Sequence, residues 1–134
     1  RYVTEETQTA VGEASLTLYP PVGEGGENEL GLTILCSAGE FDTLITGDMD
    51  SRTERVLVSS YPLPDIEVLL VGHHGSKRST SDAWLDAIVP DAAIISVGYN
   101  TYGHPTSETL ERLQAHNIPI YRTDQMGDIT VHLS

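Results

Sequence analysis

Three apolar runs in this chain each end in a glycine, and polar side chains follow each run closely. The runs are "TLITG" at 43–47, "VLLVG" at 68–72 and "IISVG" at 94–98. Short runs of this kind predict strands, and the last two are typical of strands buried on both faces. Helical patterns separate the runs, and strand–helix alternation favours a parallel arrangement. The sequence therefore predicts an α/β sheet with polar groups at the strand ends.

The rest of the chain predicts a mixed sheet with helices on one face, formed by a single domain of residues 1–134. Leu32, Ile34 and Cys36 alternate with their neighbours and are candidates for the core. Residues 1–13 are predicted as a frayed or edge segment. Further strands are predicted at 14–21, at 30–48 as two strands around "SAGE", and at 118–122 and 127–133, which the turn "TDQM" joins. Helices are predicted at 49–61 with Asp50 as cap, at 79–90, and at 104–117 with Pro105 in the first turn.

The charge balance restricts the kind of ligand that the chain can hold. Its 134 residues carry 20 acidic and 7 basic side chains, a net charge of −13. Such a balance argues against a long nucleic-acid groove, so an anionic substrate must be held locally, and metal ions supply local positive charge. No apolar run reaches the roughly 20 residues of a membrane span. The absence of a starting methionine leads us to expect a piece of something longer.

Four side chains at the strand ends are candidates for a metal site. Asp48 follows the first glycine, His73 and His74 follow the second, and His104 comes shortly after the third. Sites in α/β sheets lie at the carboxyl ends of strands, so these groups are expected to converge. Carboxylate oxygen and imidazole nitrogen suit Zn or Mn, and such metals make water a nucleophile near neutral pH. The pattern indicates hydrolysis.

Each candidate also has a simpler interpretation. Asp48 after a glycine is often a turn or cap residue, and His104 can cap the helix that follows it. Two histidines at a buried strand end are harder to explain by packing. Lys77 and Arg78 either grip a phosphate or are ordinary polar-loop residues, and the Ser76 N–H group can cradle an oxyanion. No G-x-S-x-G motif surrounds Ser76, so a serine nucleophile has little support.

Four motifs in order resemble one known family. They are "TGD" at 46–48, "LLVGHHGSKRSTS" at 69–81, "AIISVGYNTYGHP" at 93–105 and "YRTDQMG" at 121–127. Together they resemble the C-terminal half of the metallo-β-lactamase-like domain of ComEC-type DNA-uptake (competence) proteins, over about residues 14–133. The resemblance implies an αββα sandwich of two similar halves with one or two divalent metals between them.

The resemblance also implies roles for individual residues. Asp48 would bridge two metals, His73 or His74 would be a metal ligand, with His74 also a catalytic candidate, and His104 would contact phosphate or donate a proton. Asn28 stands where many relatives carry a ligand histidine, so it would be a weak ligand or a substrate contact. Ser76, Lys77 and Arg78 are candidate substrate contacts from the residues alone. The family's HxHxDH motif belongs to the N-terminal half and is absent here. Either a partner half supplies it, or this half is degenerate.

The function implied by the resemblance is metal-dependent phosphodiester hydrolysis of the DNA strand that is not taken up. The family places this domain outside the bacterial cytoplasmic membrane, next to membrane-embedded parts of the parent protein. Two alternatives stay open. One is a phosphoesterase acting on another substrate, such as cell-wall phosphocholine, and the other is a non-catalytic interaction domain with a vestigial site. We expect this piece alone to be weakly active or inactive.

Overall fold

The computed structural model describes residues 3–24, 26 and 30–133, and it contains one mixed seven-stranded sheet. The strands lie in chain order across the sheet: β1 (Thr7–Val11), β2 (Ala14–Tyr19), β3 (Thr33–Ala38), β4 (Phe41–Ile45), β5 (Val68–Leu70), β6 (Ala92–Ile95) and β7 (Ile120–Arg122). The helices are α1 (Ser51–Ser60), α2 (Asp82–Ile88), α3 (Ser107–Ala115) and the single turn α4 (Thr123–Met126). Strands β1 to β4 pair antiparallel, and β4 to β7 pair parallel.

The parallel part follows from the three helical connections. Right-handed crossovers between adjacent parallel strands place α1, α2 and α3 on the same face of the sheet. One apolar cluster joins that face to the helices; its fully buried members include Leu44, Leu69, Ala93 and Ile95 from the strands, and Leu57, Trp84, Leu85, Ile88 and Leu113 from the helices. The predicted mixed sheet with helices on one face is confirmed. Among the described residues, no helix has the length and apolar character that a membrane crossing requires.

Side-chain caps fix where the helices begin. The Asp50 carboxylate accepts hydrogen bonds from the backbone N–H groups of Arg52 and Thr53, as the predicted cap requires. The third helix starts later than predicted, because the Thr106 hydroxyl is its cap and Pro105 precedes the helix. Residues 1–13, predicted as a frayed or edge segment, contain the edge strand β1.

The face of the sheet opposite the helices is apolar and only half covered. Cys36 and Ile34, which the alternation predicted as core, lie on this face and are half-buried, and Leu32 is 39% exposed. The core position in β3 is Leu35, one residue out of phase with that prediction. The register sets half-buried apolar residues side by side in a row across the sheet: Leu18, Ile34, Ile45, Leu70 and Ile94.

The predicted strand at 127–133 is wrong, and so is the turn at "TDQM", which forms α4. Gly127 has φ +70° and turns the chain away from the edge of β7. Residues 128–131 then line a cavity of about 470 Å³ beside Val68 and Ile94, over the face opposite the helices. A segment lying over a face cannot form ladder hydrogen bonds with an edge strand, so no eighth strand forms there.

Candidate active site

The predicted site residues that the structure describes all line one cleft at the carboxyl edge of the parallel strands. Its volume is about 590 Å³. Its lining comprises Asp48, His73, His74, Ser76, Lys77, Arg78, Tyr102, Gly103, His104, Thr106, Ser107 and Glu108. Asn28 lies outside the described residues, so its predicted role stays a prediction. Asp48 could be a plain turn residue and His104 a plain helix cap, but neither role explains why both side chains line the same cleft.

Two hydrogen bonds join the carboxyl ends of β4 and β5 next to the cleft. The His73 N–H donates to the Gly47 carbonyl at 2.8 Å, and the Thr46 hydroxyl donates to the Leu70 carbonyl at 3.1 Å. A Cβ atom at Gly72 would lie 3.1 Å from the Thr46 hydroxyl, so a small residue suits this approach. These contacts bring the loop that carries Asp48 next to the histidine pair.

The histidine pair has an unusual backbone. His73 (φ 49°, ψ 40°) and His74 (φ 54°, ψ 28°) are both left-handed, within a tight turn at Gly72–Gly75. Left-handed backbone costs a non-glycine residue roughly 1–3 kcal/mol, and such strain clusters at functional sites. Two consecutive residues of this kind turn both imidazoles from one strand end into the cleft.

The orientation of His74 separates it from His73. Its Nδ1 lies 2.6 Å from the Ser96 carbonyl oxygen. Because a carbonyl only accepts, Nδ1 is a protonated nitrogen, and in the neutral tautomer with this bond the lone pair is on Nε2. That Nε2 lies 3.8 Å from Oδ1 of Asp48, and a histidine held by its other nitrogen in this way is the arrangement found at metal centres.

His73 and His104 form the second pair of the cleft. Their rings meet edge to face, with centroids 5.7 Å apart. Partial burial, and then repulsion from His73 and His74, lower the pKa of His104. The neutral imidazole is thereby favoured, and it offers one N–H donor and one lone pair to a bound group.

The loops after β5 and β6 touch at Gly75. It has φ +82°, and a Cβ there would lie 2.6 Å from Cβ of Pro105, so only glycine fits. The Thr106 N–H donates to the Gly75 carbonyl at 2.9 Å, and the Thr109 hydroxyl donates to the Ser76 carbonyl at 3.0 Å. The His104 loop is therefore held against the histidine pair.

Two charged side chains, the buried Glu54 and the half-buried Arg112, hold the backbone of the loop 76–81. The Glu54 carboxylate accepts the N–H groups of Thr80 (2.7 Å) and Ser81 (3.0 Å), although burial raises its pKa. The Arg112 guanidinium donates to three carbonyls of the same loop. We call this pair the loop clamp. Sequence reasoning missed it, because neither residue stands near the motifs.

Residues 76–78 of this loop differ in their exposure to solvent. Ser76 is only 5% exposed, and its hydroxyl accepts the Arg78 N–H at 3.3 Å, so the hydroxyl is not available as a free nucleophile. Lys77 and Arg78 are exposed and line the cleft. The loop therefore places two cations beside the histidines.

The donor atoms fit a divalent metal only in part. Asp48 and His74 approach each other, and their oxygen and nitrogen suit Zn, Mn or Fe. Within residues 3–24, 26 and 30–133, however, no three His, Cys, Asp or Glu side chains stand together as a metal site requires. Metal sites in proteins use three or more protein ligands in most cases. The described residues thus form part of a metal site at most.

Curated relatives of the chain are competence and recombination proteins. It is 38% identical over 104 residues to ComE operon protein 3 of Bacillus subtilis (strain 168), 44% over 92 residues to competence protein ComA of Neisseria gonorrhoeae, and 36% over 107 residues to recombination protein 2 of Haemophilus influenzae. The matches cover 77%, 67% and 79% of the chain but only 13% of each relative. No protein-family model matches.

Solved structures of similar fold include two of CmlA. The diiron β-hydroxylase CmlA from Streptomyces venezuelae matches with TM-score 0.62 and 13% identity, over 90% of this chain and 32% of that one. A mutant of the CmlA β-hydroxylase matches with TM-score 0.58 and 13% identity, over 88% and 31%. At this identity the likeness concerns the fold alone. The chain is homologous to a segment of the ComEC-type competence proteins, and its mixed α/β sheet has the metallo-β-lactamase fold.

Proposed function

We propose that this chain is one half of a metal-dependent phosphodiester hydrolase domain that acts on DNA during uptake. The observation that carries the proposal is the cleft itself. Asp48, three histidines and two cations come from three separate strand ends, and all face one space. Carboxylate and imidazole suit a divalent metal, and cations beside it suit a phosphate. A chain of net charge −13 has few other places to hold an anion.

Asp48 and His74 are the residues we assign to a metal, Zn or Mn, with two metals in the intact domain. The Ser96 carbonyl fixes the ring of His74 so that its Nε2 faces Asp48, and His73 has no comparable anchor among the hydrogen bonds described. When bound, the metal supplies Lewis-acid polarisation of a phosphoryl oxygen and activates water. The Ser96 carbonyl accepts the Nδ1 proton of His74 and so fixes the tautomer and the orientation of its ring.

The other residues of the cleft act on the substrate. Lys77 and Arg78 grip the phosphate from the exposed side of the loop. The Ser76 N–H, predicted as an oxyanion contact, donates instead to the His73 carbonyl at 3.0 Å and is not free for that role. His104, with its lowered pKa, offers an N–H donor to a phosphate oxygen or to the departing oxygen. Asn28 keeps its proposed role as a substrate contact or weak ligand.

A second half-domain completes the site in this proposal. It would pack on the half-buried apolar row across the sheet, as sheets pack face to face in sandwiches, and would bring the HxHxDH-like ligands. The match of the chain to only 13% of each curated relative leaves room for such a half in a longer protein. The chain alone is then weakly active or inactive. We also propose that the domain lies outside the cytoplasmic membrane, beside the membrane-embedded parts of the whole protein.

The test is DNA hydrolysis by the full-length protein. The wild type with Zn²⁺ or Mn²⁺ should degrade single-stranded DNA, and Asp48→Asn should lose at least about 100-fold in rate, as removal of a central electrostatic group does. Asp65→Asn is the matched control, because Asp65 is exposed and lies away from the cleft. Equal rates for the two variants would contradict the proposal.

A non-catalytic interaction domain is the second candidate. It is favoured by one observation, the lack of a three-ligand group within the described part of the chain. It predicts no hydrolysis of DNA or of a small phosphodiester, and no effect of Asp48→Asn. Hydrolysis of a choline phosphodiester without hydrolysis of DNA would instead identify the cell-wall alternative.

A further inference from the structure

Two tyrosines stand almost fully in solvent beside the cleft, Tyr102 in its lining and Tyr99 in the lining of an adjoining hollow. Tyr99 is 98% exposed and Tyr102 is 81% exposed, both in the loop between β6 and α3. Single exposed apolar residues are ordinary on protein surfaces. Two aromatic rings in one short loop beside a candidate active site are a more specific feature.

The loop that carries them is braced by Asn100. The amide nitrogen of Asn100 donates to the carbonyls of Gly98 (3.1 Å) and His104 (2.8 Å), and its oxygen accepts the N–H groups of Tyr102 (3.1 Å) and His104 (3.0 Å). These four bonds use the full capacity of the amide. The tyrosines therefore project from a defined loop, and the brace fixes their distance from His104.

Tyr102 lines two adjoining spaces, as His74 and His104 also do. One is the cleft of about 590 Å³, and the other is a smaller hollow of about 160 Å³ that Tyr99 also lines. The ring of Tyr102 lies 6.1 Å from that of His104, centroid to centroid. A polymer whose charged backbone occupied the cleft would have its next planar group beside these rings.

The cations of the cleft favour one class of ligand with planar groups over another. The carboxylates of Asp48 and Glu108 also line the cleft, and Asp48 is the residue assigned to the metal. Lys77 and Arg78, which line the cleft together with Tyr102, are two of only seven basic residues in the chain. They attract a phosphate and repel a quaternary ammonium, which an aromatic site would otherwise bind through cation–π contacts. Phosphate next to exposed aromatic rings is the combination that single-stranded nucleic acids recognise.

We propose that Tyr99 and Tyr102 are a stacking platform for bases of single-stranded nucleic acid whose phosphates bind at Lys77 and Arg78. The inference rests on the proposed function and deepens it by assigning the residues that contact the bases of the unpaired strand. In a duplex the bases are stacked on one another and do not reach the rings. The platform is tolerant of sequence, since every base has an aromatic face.

The experiment measures binding separately from hydrolysis. Full-length protein is titrated into a fluorescent phosphorothioate thymidine strand of about 12 nucleotides, within the usual site sizes, and into an abasic strand of the same length. Tyr99→Leu and Tyr102→Leu should each weaken binding of the thymidine strand about tenfold, whereas Tyr102→Phe should stay within about twofold of wild type. The abasic strand should bind wild type and the Leu variants equally.

Several results would overturn the platform: unchanged affinity in both Leu variants, a loss in Tyr102→Phe as large as in Tyr102→Leu, abasic and thymidine strands bound alike by wild type, or free choline competing with the thymidine strand. Because both side chains are exposed, the variants should unfold at the wild-type denaturant concentration. Failure of the proposed function looks different, since wild type would then bind the strand through the tyrosines but leave unmodified DNA intact.

Discussion

Removal of the Arg112 half of the loop clamp should loosen the loop that carries Lys77 and Arg78. In Arg112→Met the guanidinium is lost, while most of the apolar stem is kept. The guanidinium donates to the carbonyls of Lys77 (3.0 Å), Ser79 (3.1 Å) and Thr80 (2.7 Å). Each bond contributes about 1 kcal/mol net, and the one to Lys77 is exposed, so the loop should lose about 2–3 kcal/mol.

Hydrogen exchange is the assay for this loss. The amides of Thr80 and Ser81, which bond Glu54, report opening of the loop. A loss of about 2–3 kcal/mol in opening free energy makes these amides exchange about 30- to 150-fold faster. Arg55→Met is the matched control, because Arg55 is an exposed arginine on α1 and the change of charge is the same. Equal exchange rates in the two variants would refute the clamp.

Two further predictions concern the backbone and a helix cap. Gly75→Ala should destabilise the protein by about 2–5 kcal/mol, because it adds left-handed strain and a clash with Pro105. The control Gly39→Ala, at φ +63° with no neighbour within 4 Å, should cost only about 1–2 kcal/mol. Both losses are measured by urea unfolding, and equal losses would contradict the clash. Burial alone would raise the pKa of Asp50, but hydrogen bonds from Thr53 and Arg52 outweigh burial and lower it. The ionised carboxylate therefore stabilises the fold fully at a pH above its ordinary pKa of 3.8, and this contribution is lost as the pH falls through the lowered pKa. Asp50→Asn keeps the cap without the charge, so its unfolding free energy should approach that of the wild type at low pH, and a constant difference across pH would contradict this.

The parts of the fold that follow from local pattern were predictable. The apolar runs that end at Gly47 and Gly72 predicted parallel strands, and Asp50 was predicted as the cap of the first helix. The phase of β3 was missed because both faces of that strand are apolar, so alternation alone does not say which face the helices cover. The strand at 127–133 was missed because its pattern suits a strand, whereas its position over a face of the sheet is a tertiary property.

The candidate site was predictable in membership and less so in detail. Residues after strand ends converge because parallel strands share an edge, and this argument located Asp48 and His104. The distinction between His73 and His74 depends on the Ser96 carbonyl, 22 residues from His74 in sequence, and no local pattern contains that information. Exposed aromatic residues directly before His104 were a visible signal for Tyr102, which sequence reasoning passed over.

The central claim is that Asp48 and His74 hold a metal that a second half-domain helps to bind. Elemental analysis of the full-length protein after exposure to Zn²⁺ or Mn²⁺ and removal of free metal tests it most directly. We expect bound divalent metal in the wild type and loss of at least one equivalent in His74→Ala. His132→Ala should keep the wild-type metal content, because His132 is exposed and does not line the cleft. A wild type without bound metal, or equal metal content in the two variants, would contradict it.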